Sequence, residues 1–363
     1  MRIRKSVEEL EPYVPGEQPK DRTVIKLNTN ENPYQPSPLV KKALESFDPE
    51  FLRKYPDPVF TDLRVRIAEI HGTVPERVFI GNGSDEVLSL ACRAFVENDE
   101  AIGSFHPSYS LYRTLAAIRG VSFVPSPLAP DFEWAEPVVK GADGKDVALF
   151  LLTNPNAPTS VQYPKEKIVE FASNYRGVLL IDEAYGDFAP YSCTDLAAAS
   201  GNCNVIVMRT LSKSFSLAGL RFGYCIGPAD LVEALYKVKD SYNVDAVAQA
   251  VALAALHDLK WMRGNAAKIC RTRDMFSEQL RKRGWDVPES ASNFVFARPP
   301  AKSGADIHSR AREIFERLKG RHIYVRYFKG PETGDRLRVT IGTSSDMDAL
   351  LCALDEIVGE LDS

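Results

Sequence analysis

Between about residues 60 and 230 the chain alternates short apolar, β-rich runs with stretches of helical periodicity: "RVFI", "EAIGSF", "VSFVPS", "VALFLLTN", "GVLLID", "NVIVMRT" and "FGYCIG". The intervening lengths suit crossover helices, so the pattern predicts strand, helix, strand and parallel pairing. "VALFLL" and "GVLLID" run apolar without alternation, as strands covered by helices on both faces do. The expected fold is α/β, a large domain over 31–245 with a mostly parallel sheet between helices. After about residue 245 the pattern changes to long helical stretches followed by "NFVFARP", "IYVRYF" and "RLRVTIG", which predicts a smaller α+β domain over 246–363. Residues 1–30 are rich in Pro and charge and have no clear period, which suits an extended arm lying on the body. A chain of 363 residues is long for one core, and two units leave a cleft between them.

Composition narrows the partners. The chain is 44% hydrophobic and 26% charged with a formal net charge of -4, so it lacks the basic excess that nucleic-acid binding favours. No apolar stretch approaches the roughly 20 residues of a membrane span, and the opening residues lack the apolar core of a signal peptide. A cytoplasmic protein with neither nucleic-acid nor membrane partners is expected. Six scattered cysteines without a C-x-x-C pair suggest reduced thiols, and five histidines without ligand spacing suggest no metal site.

Several apolar runs end in polar tips. "RVFIGNGSDEV" passes from a strand through Gly81 and Gly83 into a helical pattern opening at Ser84 and Asp85. That turn is either a plain N-cap or a phosphate cup of backbone N–H groups. Asp182 closes "GVLLID" at the edge where open α/β sheets place ligands, although an acid there also serves as a turn residue. "VALFLLTNPNAPTS" ends in a stiff turn that can present an amide. Lys213, among serines just past "NVIVMRT", is either a surface lysine or a desolvated amine whose neutral form is accessible for covalent chemistry. Arg221 follows as a possible second clamp on a phosphate. A phosphate cup, an acid, an amine and an arginine in this order are the equipment pyridoxal phosphate requires.

The series "LNTNENPY", "KYPDP", "GNGSDE", "HPSYSLY", "NPNAPTS", "DEAYGDF", "TLSKSFSLAGLRFGY", "SNFVFAR" and "RLRVTIGT" covers nearly the whole chain. On it the chain resembles the fold-type-I pyridoxal-phosphate aminotransferases, above all the histidinol-phosphate aminotransferases. The resemblance implies a seven-stranded sheet, a homodimer, and an enzyme that moves an amino group between a small-molecule donor and a 2-oxo acid. It implies that Lys213 attaches the cofactor and shuttles protons, that Asp182 partners the pyridine nitrogen, and that Tyr185 donates to the ring oxygen. Tyr109 matches the aromatic stacked on the ring, and Ser84, Asp85, Ser212 and Arg221 match the phosphate cup. The family's asparagine before P-T-G is replaced by Ala157 and its glycine by Ser160, which leaves Asn156, one position earlier, as the amide to take over. Asn293, Arg326 and Arg338 match substrate contacts. Tyr13 matches an arm residue closing the pocket, and Tyr55 a tyrosine reaching the neighbouring subunit's substrate. The implied reaction is transamination between histidinol phosphate and 2-oxoglutarate in histidine biosynthesis, with an aromatic-amino-acid aminotransferase or a phosphothreonine decarboxylase as alternatives.

Overall fold

The computed structural model describes residues 3, 5–8, 10, 16–21, 23–198, 204–301 and 306–363. After a two-residue strand, β1 (Ile25–Lys26), the chain forms β2 (Val78–Gly81), β3 (Ala101–His106), β4 (Ser122–Pro127), β5 (Val147–Thr153), β6 (Val178–Asp182), β7 (Val205–Thr210) and β8 (Gly223–Ile226). These seven later strands make one sheet in the order β2-β8-β7-β6-β5-β3-β4, and each coincides with one of the seven apolar runs. Only β8 runs against its neighbours, so the mostly parallel α/β architecture is borne out.

The pleat explains the two-sided burial. Along β5, Leu149 and Leu151 join one apolar cluster while Phe150 and Leu152 join another, because successive side chains point to opposite faces. Helices Ser84–Phe95 and Leu111–Arg119 contribute Val87, Leu88, Tyr112 and Leu115 to the first cluster. The edge position goes to β4, whose Pro125 and Pro127 carry no N–H for a central ladder.

The second part contains β9 (Phe294–Ala297), β10 (Ile323–Tyr324), β11 (Arg326–Tyr327) and β12 (Leu337–Thr340). β11, β12 and β9 form an antiparallel sheet in that order, while β10 pairs in parallel with β1. The chain from Ile25 to Asn30 therefore runs along this smaller sheet: Leu27 N–H donates to Tyr324 O at 2.7 Å, and Thr340 N–H donates to Leu27 O at 3.0 Å. A reciprocal capping box between Thr343 and Asp346 starts the last helix, Ser344–Asp362, satisfying two otherwise unpaired N–H groups.

Five cysteines are free; Cys92, Cys193 and Cys225 are buried, Cys270 is partly so, and Cys352 is exposed on the last helix. Cys203 lies outside the described residues. Among the described residues no helix is long and apolar enough to cross a membrane.

Candidate active site

Because β2, β3, β5, β6 and β7 point the same way, the loops that leave them meet at one sheet edge. They line a cavity of about 370 Å³, a volume typical of small-molecule sites.

The turn after β2 lines it through Ser84 and Asp85. Gly83 is the N-cap of Ser84–Phe95 at φ 84° and offers no side-chain cap, so the first-turn N–H groups suit an external anion. A Cβ on Gly83 would sit 2.7 Å from Arg221 Nη2, and one on Gly223 only 2.5 Å from the Ser84 nitrogen. The two glycines thus let Arg221 and the helix start approach. Arg221, in the left-handed region at φ 55°, donates to Asp85 Oδ2 at 3.1 Å. The Asp85 carboxylate also accepts from Tyr109 Oη at 3.4 Å, which leaves its backbone N–H as the group suited to an anion. Ser84, Tyr109 and Ser212 line the same cavity.

Asp182 ends β6, is 4% exposed and accepts from Ala184 N–H at 3.0 Å and Tyr112 Oη at 2.9 Å. Burial raises its carboxyl to about 6, with those two donors pulling the other way. Tyr112 is also 2.6 Å from Thr153 Oγ1. The sequence does not single it out; fully buried on its helix, it looks like a core residue, and only its i, i+3 spacing from Tyr109 hints otherwise.

Lys213 follows β7. Burial, then the charge of Arg338, lowers its amine to about 8, and Nζ donates to Thr29 O at 3.2 Å. Asn32 Nδ2 donates to the carbonyls of Lys213 and Ser214 at 3.0 and 3.1 Å. Beneath the loop, buried Arg209 joins Glu183 at 2.6 Å and Asp187, and Ser214 donates to Asp187. This network ties the tips of β6 and β7 together. It too went unseen, since Arg209 sits inside an apolar run.

Tyr185 is buried at the cavity wall, and its hydroxyl accepts from Asn30 Nδ2 at 2.9 Å. Ala157 and Pro158 also line the cavity, whereas Asn156 does not. The Asn156 amide donates to Pro107 O and Thr159 Oγ1, each at 3.0 Å, and accepts from Ser108 Oγ at 3.0 Å, so it holds the turn instead of facing the cavity. Ser160 adopts φ 68°, a conformation that glycine takes without strain.

Arg326 and Arg338 also line the cavity, from directly opposed positions on β11 and β12. Like charges so placed repel, an arrangement that suits an anion between them. Lys329 lines the cavity as well. Asn293 lies behind the wall, donating to Asn30 O at 3.0 Å. Tyr55 is away from this cavity, 79% exposed and stacked on Tyr242 at 4.3 Å. Tyr13 lies outside the described residues.

Residues 22–354 match the family model for aminotransferase class I and II. A histidinol-phosphate aminotransferase of Rhodopirellula baltica is 41% identical over 99% of this chain and 97% of its own, and one of Syntrophotalea carbinolica is 43% identical over 98% and 99%. The crystal structure of histidinol-phosphate aminotransferase from Sinorhizobium meliloti in complex with pyridoxal-5'-phosphate superposes with a TM-score of 0.87 at 27% identity, covering 99% of this chain and 98% of that one. The chain belongs to the class I and II aminotransferases and, within them, to the histidinol-phosphate aminotransferases.

Proposed function

We propose that this chain is a cytoplasmic, pyridoxal-phosphate-dependent transaminase that moves the amino group of L-histidinol phosphate to 2-oxoglutarate in histidine biosynthesis. The observation that carries this reading is one cavity with two cationic poles, Arg221 with an uncapped helix start and the directly opposed Arg326 and Arg338, with Lys213 lining the same cavity. One pole suits the cofactor's phosphate and the other the phosphate of the donor or the carboxylate of the acceptor.

The donor set fits the cofactor. Ser84, the Asp85 N–H, Ser212 and Arg221 would hold its phosphate, Asp182 its ring nitrogen, Tyr185 its ring oxygen and Tyr109 its face. When bound, pyridoxal phosphate supplies an aldehyde that exchanges amino groups and a ring that takes up charge from the substrate's α-carbon. Lys213, its amine poised near neutrality, would move the proton from that carbon. Asp182, shielded from water, would keep the ring nitrogen protonated. Asn293 would act behind the site, through the Asn30 carbonyl it holds. The N-terminal arm would close the pocket with Tyr13.

Loaded protein given L-histidinol phosphate and 2-oxoglutarate should release glutamate, measured with a coupled dehydrogenase; no glutamate would overturn the reading. Arg221→Ala removes charge-assisted hydrogen bonds worth roughly 1.5 to 3 kcal/mol each. Cofactor affinity should fall at least tenfold, and saturating cofactor should restore part of the rate. Equilibrium dialysis checks this, with unchanged affinity contradicting the clamp.

The reading includes a homodimer in which Tyr55 serves the neighbouring subunit. Its exposure, together with that of Phe51 and Leu52, supports a covered surface there. Mixing Tyr55→Phe with Lys213→Ala protein should then raise the rate per intact lysine, because a mixed dimer contains one complete site. Confirmed subunit exchange without such recovery would exclude the role.

A further inference from the structure

Asn30 sits where the arm meets both sheets. It is 1% exposed and adopts φ 56°, a left-handed conformation that asparagine tolerates better than most residues. Three buried contacts hold it: its backbone N–H donates to Thr340 Oγ1 at 3.0 Å, Thr340 Oγ1 donates to its Oδ1 at 3.0 Å, and Asn293 Nδ2 donates to its carbonyl at 3.0 Å. These contacts decide which way the amide faces. Thr340 is buried, and its proton is satisfied by Asn30 Oδ1. Turning the amide over would leave that proton without this acceptor, at the penalty of an unpaired buried group. The Nδ2 side therefore points at Tyr185, 2.9 Å away.

We infer that Asn30 is a positioning residue that fixes the polarity of the Tyr185 hydroxyl: the oxygen accepts from the amide, and the phenolic proton is left to donate into the cavity. The inference rests on the assignment of Tyr185 to the cofactor's ring oxygen. The turn after β5 gives this weight, since Ala157 lines the cavity without a side-chain donor and the Asn156 amide is spent on Pro107 O of the loop after β3 and on Thr159 Oγ1. Tyr185 is then the donor on that side whose direction matters, and a hydroxyl free to rotate would divide its time between the cavity and other acceptors.

Asn30→Asp keeps the size and the Thr340 contact but offers Tyr185 an acceptor in place of a donor, which turns the hydroxyl away from the cavity. The readout is the pH midpoint of the bound cofactor's visible absorbance in loaded protein, which falls when a donor stabilises negative charge on the ring oxygen. The new carboxylate also raises the midpoint by its charge alone, so the substitution is made in wild-type and Tyr185→Phe backgrounds. The upward shift in wild type should exceed that in Tyr185→Phe by about one pH unit. Equal shifts in the two backgrounds, with Tyr185→Phe itself moving the midpoint, would overturn the role of Asn30 and leave Tyr185 at the ring oxygen. An unmoved midpoint in Tyr185→Phe would overturn both assignments. Asn30→Ala, which removes the donor without adding charge, should shift the midpoint in the same direction by less, and no shift would contradict the proposal.

Discussion

Lys213→Ala should lower turnover by about four orders of magnitude or more and abolish covalent attachment of the cofactor. Borohydride followed by peptide mass mapping should place a pyridoxyl adduct on Lys213 in the parent chain and none in the variant. The phosphate end is held by other residues, so the variant should still bind cofactor, reversibly. The lowered amine adds a pH signature. With a value of about 8 against an ordinary 10.5, roughly half of the amines are neutral at pH 8, where an unperturbed lysine would show well under 1%. Attachment of cofactor to the empty protein should therefore speed up about tenfold per pH unit until pH 8 and then level off. An adduct on a different lysine would remove Lys213 from its role, and an attachment rate still climbing beyond pH 9 would contradict the desolvated amine.

Asp182→Asn should produce the second largest change, and in two opposite directions. Proton abstraction from bound donor, followed in single turnover, should slow by orders of magnitude, since an amide does not hold a proton on the ring nitrogen. The empty protein should become more stable at pH 7. The folded carboxyl value of about 6 lies above the ordinary 3.8 because of burial. A group raised in this way contributes stability below pH 3.8 that is lost as pH rises through 6. At pH 7 the ionised carboxylate thus costs the empty protein on the order of 2 to 3 kcal/mol, which the neutral amide avoids. The variant's advantage in thermal unfolding should shrink as pH falls from 6 towards 4. Near-normal proton abstraction would refute the role of Asp182, and an advantage constant over that pH range would refute the burial argument. The trade is common at functional sites, where activity needs a group the fold would be more stable without.

Much of this architecture could be read from the chain because its strands are short and sharply bounded. Seven apolar runs became seven strands, and the residues that end them, Asp182, Thr210 before Lys213, and Gly81 before Ser84, stand out because a polar residue follows an uninterrupted buried run. Parallel pairing then brings those tips to one edge without further information. Orientation was legible only in part: "FGYCIG" has the same apolar signature as its neighbours, and nothing in its composition marks β8 as antiparallel. Contacts between distant segments were hidden for a different reason. Asn30 and Tyr185 are separated by 155 positions, and the bond between them depends on how the arm threads past β12. Tyr112 and Arg209 sit on buried faces, where periodicity marks them as core and says nothing of a hydroxyl on Asp182 or a guanidinium between Glu183 and Asp187. Asn156 shows the converse. Its place in the turn suggests an amide aimed at the ligand, but the Pro107 carbonyl of the loop after β3 and the turn's own Thr159 hydroxyl take up that amide.

The measurement that tests the account most directly is a steady-state comparison of L-histidinol phosphate, phenylalanine, tyrosine and O-phosphothreonine as donors, with 2-oxoglutarate as acceptor. The opposed Arg326 and Arg338 reward a doubly charged phosphate over a carboxylate, and charge-assisted hydrogen bonds of roughly 1.5 to 3 kcal/mol each correspond to tenfold or more per bond. The kcat/KM for histidinol phosphate should exceed those for phenylalanine and tyrosine by at least about a hundredfold, and O-phosphothreonine should yield no decarboxylated product. An aromatic amino acid matching histidinol phosphate in kcat/KM would contradict the assignment of this cavity to a phosphorylated donor.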